Sequence, residues 1–428
     1  MKDKQVERLM TGEKKRQKRV INLIASENYV SKDVLAALGS ELTNKYAEGY
    51  PGKRYYGGNE ISDQIENLCQ ARALKLYKLE AKSWSVNVQA LSGSPANLAV
   101  YLALVPLGGK IMGMSLDHGG HLTHGHKVSV TGKIFKQVPY GVSRATEQLD
   151  YDEIAAIAKR EKPDIIVVGY TAYPRMVDWR KFRQIADSCG ALLMVDMSHL
   201  AGLVAGGVYP SPFKYADVVT TTTHKTLRGP RAALIFSRRS VVRHFAFLAP
   251  RLAVGQASDP AKGEMASRGE TQNASLAQLI DRAVFPGLQG GPHLNQIAAV
   301  AVALAEAGRP EFKKYAKQVV KNTKALAGEL ARLGWRLVSS GTDSHLLLMD
   351  VWCDGKGLGG KEASDRLEQA GIIVNKNTIP FDTRSPADPS GIRLGTAAET
   401  TRGKKEKDMI SLARKIDRIL KNTQNGKK

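Results

Sequence analysis

Residues 217–231 read Asp-Val-Val-Thr-Thr-Thr-Thr-His-Lys-Thr-Leu-Arg-Gly-Pro-Arg, and they decide how the rest of the chain is read. The β-branched run from Val218 to Thr223 favours an extended strand. The strand stops near His224 and Lys225, Arg228 to Arg231 turn the chain, and a second apolar run, Ala232 to Phe236, follows. One lysine thus stands at a strand end among hydroxyls. Free lysine has a pKa of about 10.4, so roughly one side chain in two thousand is a neutral nucleophile at pH 7. A protein removes that cost of about 4–5 kcal/mol by depressing the pKa, or by holding the lysine as a Schiff base with a carbonyl group. Taken alone, Lys225 reads as a solvated residue of a strand-to-helix loop. The segments upstream decide between the two readings.

Two further runs of strand length lie upstream, Asp164 to Gly169 and Ala191 to Met197. With Ala216 to Thr223 they have the apolar or β-branched content of buried parallel strands. Between the first two, Phe182, Ile185 and Ala186 have helical spacing over Trp179 to Cys189, and Gly190 is a helix stop. This is βαβ order, and an open α/β sheet takes its ligands at the carboxyl ends of its strands. Asp196 stands at one such end, with His199 three residues on, and Lys225 stands past the next. An acid beside a strand-end lysine suits pyridoxal phosphate, which needs an amine for its carbonyl and a carboxylate to keep its pyridine nitrogen protonated. Asp196 reads equally well as a helix N-cap. Ser92-Gly93-Ser94, before a helical stretch Pro95 to Val105, offers N–H groups and hydroxyls to a phosphate. Pro95 suits a first helical position. Many loop-to-helix junctions look like this, so the weight lies in the order of the three signals.

Longer blocks extend over almost the whole chain. They are Leu23 to Tyr29, Leu42 to Gly58, His118 to Gly125, Val195 to His199, Thr220 to Thr226, Ala283 to Pro292 and Ser390 to Thr396. In these the sequence resembles serine hydroxymethyltransferase. The resemblance implies an α/β, fold-type-I aminotransferase-like enzyme. Its large domain would hold a mostly parallel sheet of the seven-stranded type, beside a small C-terminal α+β domain. It implies pyridoxal 5'-phosphate as cofactor and tetrahydrofolate as co-substrate, with serine and glycine interconverted. On this resemblance Lys225 forms the Schiff base, Asp196 pairs with the pyridine nitrogen and His121 stacks on the ring. Ser92, Gly93, Ser94 and a partner copy's Gly291 would hold the phosphate, with Thr171 and His199 also at the cofactor. Arg393 would receive the substrate carboxylate, a role suited to its bidentate fork. Ser26, Tyr46, Tyr56 and His199 belong to the substrate pocket, and Glu48 is the proton shuttle. Glu48, Tyr55, Leu116, Gly120, Leu122 and Asn377 would line the folate site. In the family the Glu48 to Gly58 stretch reaches the other subunit's site, which implies a homodimer or tetramer with shared sites.

The sequence departs from that family in places. Between Arg238 and Leu279 several tens of extra residues intervene, with little apolar periodicity after Val254. A loop that long reads as a surface insertion, close enough to Gly290 and Gly291 to affect a dimer interface. Thr171 stands where a serine is usual, and Ala90 and Ala397 stand where prolines are usual. Leu91 holds a position often aromatic. His118, His121 and His124 imitate a metal motif by spacing, but the glycines among them oppose a helix that would align them. No metal is expected.

A chain of 428 residues is long enough for two domains. The expected division is an arm over 1–30, a large domain over 31–286 containing the insertion about 238–279, and a small domain over 287–428. In the small domain Ile297 to Ala307, Glu311 to Leu333 and Lys404 to Leu420 read as helices. Leu346 to Val351, Ile372 to Val374 and Ile392 to Leu394 read as strands. No apolar run reaches the roughly 18 residues of a membrane span, and the charged N-terminus lacks a signal-peptide core. Three scattered cysteines suit a reducing cytoplasm. The 63 Lys and Arg against 41 Asp and Glu leave a net charge of +22. Residues 1–20 and 402–428 supply +5 and +7 of it, which reads as solvated, partly disordered ends. Attraction for polyglutamylated folate or RNA is the functional reading of that charge, although no RNA-binding motif appears. Two rival functions remain: a folate-independent aldolase of β-hydroxy amino acids, and an RNA-binding or regulatory protein on an enzyme scaffold.

Overall fold

The β-branched run of the opening segment forms the strand Val218–Thr222, buried at every position near the middle of a seven-stranded sheet. We number that sheet β1 Trp84–Asn87, β2 Lys110–Met114, β3 Lys136–Tyr140, β4 Ile165–Val168, β5 Leu192–Asp196, β6 Val218–Thr222 and β7 Ala233–Arg238. The spatial order is β1-β7-β6-β5-β4-β2-β3. The pairs from β6 to β3 are parallel, and β7 is antiparallel to both its neighbours. This is the expected α/β class, with one antiparallel strand folded back by the turn at Arg228 to Arg231. The structure is a computed structural model, and it describes residues 1–239 and 274–421. The insertion expected about 238–279 therefore lies almost wholly outside the described residues.

Helices cover both faces of the sheet, as apolar strands buried on two sides require. One face packs Met112, Ile166, Leu193 and Val219 against Phe182 and Ile185 of α2, Trp179–Cys189, which ends at Gly190 with φ +72° as its sequence signals. The other packs Ile111, Ile165 and Met194 against Val100 and Leu104 of α1, Gly93–Leu104. α1 begins two residues earlier than Pro95, because extended Ser92 already caps it. Pro95 is third in the helix, still within the first turn where N–H groups have no helical partner.

Ile297, Val300, Leu304, Phe312 and Tyr315, all beyond Pro286, pack into the core of the large sheet. The helix Pro310–Arg332 then continues into a second core through Leu326 and Leu330. That core covers an antiparallel sheet of β8 Leu346–Asp350, β9 Asn375–Asn377 and β10 Gly391–Gly395, ordered β8-β10-β9. Leu23 packs there too, and Ile21–Asn22 pair in parallel with Ile372–Ile373.

The N-terminus corrects an expectation. Residues Lys4–Arg19 form a helix with no buried residue rather than a disordered end. Asp3 caps it by accepting from the Gln5 and Val6 N–H groups, and Arg16, Lys18 and Arg19 lie at its negative end. Among the described residues no helix is long and apolar enough to cross a membrane.

Candidate functional site

The carboxyl ends of β4, β5 and β6 and the N-terminus of α1 open on one cavity of about 370 Å³. Asp196 ends β5. Its Oδ2 accepts from Asn97 Nδ2 at 2.9 Å and faces His124 Nε2 at 3.4 Å. Its Oδ1 accepts from the Ser198 N–H and hydroxyl. Burial alone would raise the carboxyl, but His124, His121 and Lys225 hold it well below the usual carboxylate range. The short helix that follows, Ala201–Ala205, begins after Leu200, so Asp196 is not its cap.

Lys225 lies three residues past β6 and faces the same cavity. Burial brings its amine down to about 8, against the opposing pull of Asp196. The solvated-loop reading therefore loses. His121 is brought down to about 4, chiefly by burial, so its imidazole is neutral at pH 7.

The mouth of α1 fits a phosphate. The Ser92 side chain makes no capping bond, which leaves the first N–H groups of α1 free. A Cβ on Gly93 would meet Thr222 Cγ2 at 2.7 Å, so only glycine brings the backbone this close. Thr222 Oγ1 and His224 Nδ1 are buried without a partner, and both residues line the cavity with Arg231. Orphaned polar atoms beside a helix N-terminus are the partners an anionic group would satisfy.

Across the cavity stands Arg393 on β10, 9% exposed. Its Nε donates to Asn375 Oδ1 at 3.0 Å and its Nη1 to the Thr171 carbonyl at 2.6 Å. Burial lowers its pKa to about 10, so it is still a cation at pH 7, and no carboxylate pairs with it among the described residues.

The structure gathers Ser26, Ser92, Gly93, Ser94, His121, Thr171, Asp196, His199, Lys225 and Arg393 around this cavity. Tyr46, Glu48, Tyr55, Tyr56 and Gly291 do not line it. They form an outer cluster in which Tyr56 stacks edge-on with Tyr46 and Tyr55, and a Cβ on Gly291 would lie 3.5 Å from Tyr46. Tyr55 is 81% exposed. Leu116, Gly120 and Leu122 sit on the loop after β2, where the Gly120 carbonyl accepts from the Thr171 hydroxyl at 2.9 Å, and Asn377 ends β9. Glu27, His124, Tyr170, Ser198, Thr222, His224 and Arg231 line the cavity without having been singled out as site residues. Ser198 follows Asp196 by two residues, and Thr222, His224 and Arg231 lie in the segment that carries Lys225, a signal that was available. His124, weighed only as a metal ligand, instead faces the Asp196 carboxylate. Among the described residues no group of three His, Cys, Asp or Glu side chains is placed to hold a metal.

A family model described as serine hydroxymethyltransferase matches residues 1–416. A relative named serine hydroxymethyltransferase from Desulfotalea psychrophila is 50% identical over 424 residues, 99% of this chain and 90% of the relative. One of the same name from Acidobacterium capsulatum is 50% identical over 410 residues, 96% and 86% of the two chains.

Proposed function

The chain belongs to the serine hydroxymethyltransferase family, and from that premise we propose how its own residues carry out the transfer. It is a pyridoxal phosphate enzyme that moves the hydroxymethyl carbon of serine to tetrahydrofolate and leaves glycine. When bound, the cofactor supplies an electron sink for breaking the bond between Cα and the hydroxymethyl carbon.

The α1 N-terminus at Ser92, Gly93 and Ser94, with Thr222 and His224, holds the phosphate. Asp196, held strongly anionic, would keep a proton on the pyridine nitrogen of the bound cofactor. With the cofactor bound, His121 would pack on the ring, Thr171 and His199 would flank it, and Lys225 would supply the amine for its carbonyl. Arg393 binds the serine carboxylate, and Ser26 lies in the same pocket. That buried guanidinium without a carboxylate, beside a depressed lysine and a strongly anionic aspartate, is the observation that carries the reading.

Tyr46, Glu48, Tyr55, Tyr56 and Gly291 serve the site of a second copy, in a homodimer or a tetramer built from it. The exposure of Tyr46, Tyr55 and Tyr56 and the place of all five outside the cavity support this. Glu48 moves the proton at the serine hydroxyl, Tyr46 and Tyr56 complete the amino-acid pocket, and Gly291 closes the partner's phosphate site. Glu48, Tyr55, Leu116, Gly120, Leu122 and Asn377 meet the folate. The enzyme works in the cytoplasm.

The test is the visible absorbance of the purified protein against a Lys225→Ala control, followed by serine cleavage with and without tetrahydrofolate. A band in the parent that the variant lacks, with folate-dependent cleavage, is the expected result. Threonine cleavage with no response to folate would make the chain an aldolase instead. No observation favours that reading or the RNA-binding one.

A further inference from the structure

His199, three residues past β5, meets His345, the residue before β8, across the seam between the two sheets. His199 Nδ1 lies 3.1 Å from His345 Nε2, with the ring planes 31° apart. His199 is 5% exposed and His345 is fully buried. Burial, with the charges of Lys225 and Arg393 nearby, holds both imidazoles neutral. Between two neutral rings one nitrogen donates and the other accepts, so the two tautomers are linked.

The charges facing His199 choose between the linked states. His345 Nδ1 is buried and makes no hydrogen bond, so the choice is made at the His199 end. His199 Nε2 has no protein partner and is not a sealed buried atom, and His199 lines the cavity with Lys225 and Arg393. A lone pair suits that cationic surrounding better than an N–H does, which makes His199 Nδ1 the donor and His345 Nε2 the acceptor.

We propose that His345 is a positioning residue that holds the proton of His199 on Nδ1. The Nε2 lone pair then faces the cavity as acceptor for an O–H or N–H of the bound amino acid. The identity of that ligand rests on the function proposed above; the tautomer does not.

The test is ¹⁵N NMR of the histidine-labelled protein, with ring signals assigned by His199→Asn and His345→Gln. The expected result is a proton on Nδ1 of both rings, and a proton on His199 Nε2 would overturn the proposal. His345→Gln keeps an acceptor oxygen and should preserve the His199 tautomer, with serine turnover within about threefold. His345→Leu keeps no acceptor. It should mix the His199 tautomers and lower kcat by about 10–100-fold, the usual span for lost outer partners, with the cofactor absorbance retained. Equal tautomers and equal kcat in the Gln and Leu variants would also overturn it. Absence of serine turnover in a parent with the expected tautomer would count against the function, not against this pairing.

Discussion

Arg54 Nη2 meets Glu66 Oε2 at 2.6 Å, with the arginine side chain 4% exposed and the glutamate fully buried. The same guanidinium bonds Asp63 and donates to the carbonyls of Ala47 and Gly49. The pair therefore ties the turn that carries Glu48 and Tyr55 to the helix Glu60–Leu76. Removing one partner of a buried pair leaves an uncompensated charge and costs about 3–5 kcal/mol. Arg54→Met should lose stability of that order in a denaturant titration. A loss under about 1 kcal/mol would mean that the turn is held by other contacts.

Asp281 is the second anchor of that turn. Its carbonyl accepts from the Tyr50 hydroxyl at 2.6 Å, and its Oδ1 from Asn87 at 2.7 Å. Burial raises its carboxyl from 3.8 to about 6. The folded chain then holds a proton that the unfolded chain has released. Stability should fall as pH rises from about 4 to 6, by up to about 3 kcal/mol, and level off above. Asp281→Asn keeps an acceptor for Asn87 and should remove this part of the slope. Parallel stability curves for parent and variant across pH 4–6 would refute the account.

Gly93 offers a test of the phosphate cradle that leaves every charged group in place. Gly93→Ala presses a methyl on Thr222 Cγ2 and should weaken pyridoxal phosphate binding about tenfold or more, equivalent to about 1.4 kcal/mol. Thr222→Ser removes that methyl and keeps the hydroxyl, so the double variant should recover most of the affinity in equilibrium titration. Failure to recover would place the cause elsewhere than this contact.

Shared sites predict complementation. Lys225→Ala and Glu48→Gln should each be nearly inactive. Dimers formed by unfolding and refolding an equal mixture should regain about a quarter of parental activity, because half are mixed and each mixed dimer has one intact site. Activity that stays at the level of the single variants would place Lys225 and Glu48 of one chain in the same site.

Strands β4 to β7 of the central sheet were legible because they are β-branched or apolar runs stopped by polar residues, which is a local property, whereas β1, β2 and β3 are short or mixed with polar residues and do not stand out. Lys225 and Asp196 were legible for the same reason: each follows such a run, and strand ends are where an α/β sheet binds. The N-terminal helix was missed because residues 1–20 are dominated by charge, while its order comes from the Asp3 cap and charges matched to the helix ends. His345 was illegible. It lies 146 residues from His199 in the chain, and its significance exists only once two sheets bring the rings together. The outer cluster around Glu48 reads clearly as a block, yet nothing local says that it stands outside the cavity of its own chain.

The parallel pairing of Ile21–Asn22 with Ile372–Ile373 has a mechanical consequence. Leu23 is bound on to β10 through the Gly395 N–H, and a Cβ on Gly395 would collide with Ala25. Ser26 and Arg393 thus belong to one packed unit, although 367 positions separate them in the sequence. The Arg393 bond to the Thr171 carbonyl is one of several links from that unit to the lysine-bearing half, with the His199–His345 contact, the Arg175 bond to Asp343 and the Asn28 bond to the Lys225 carbonyl. A change that displaces one of these two residues therefore displaces the other with it.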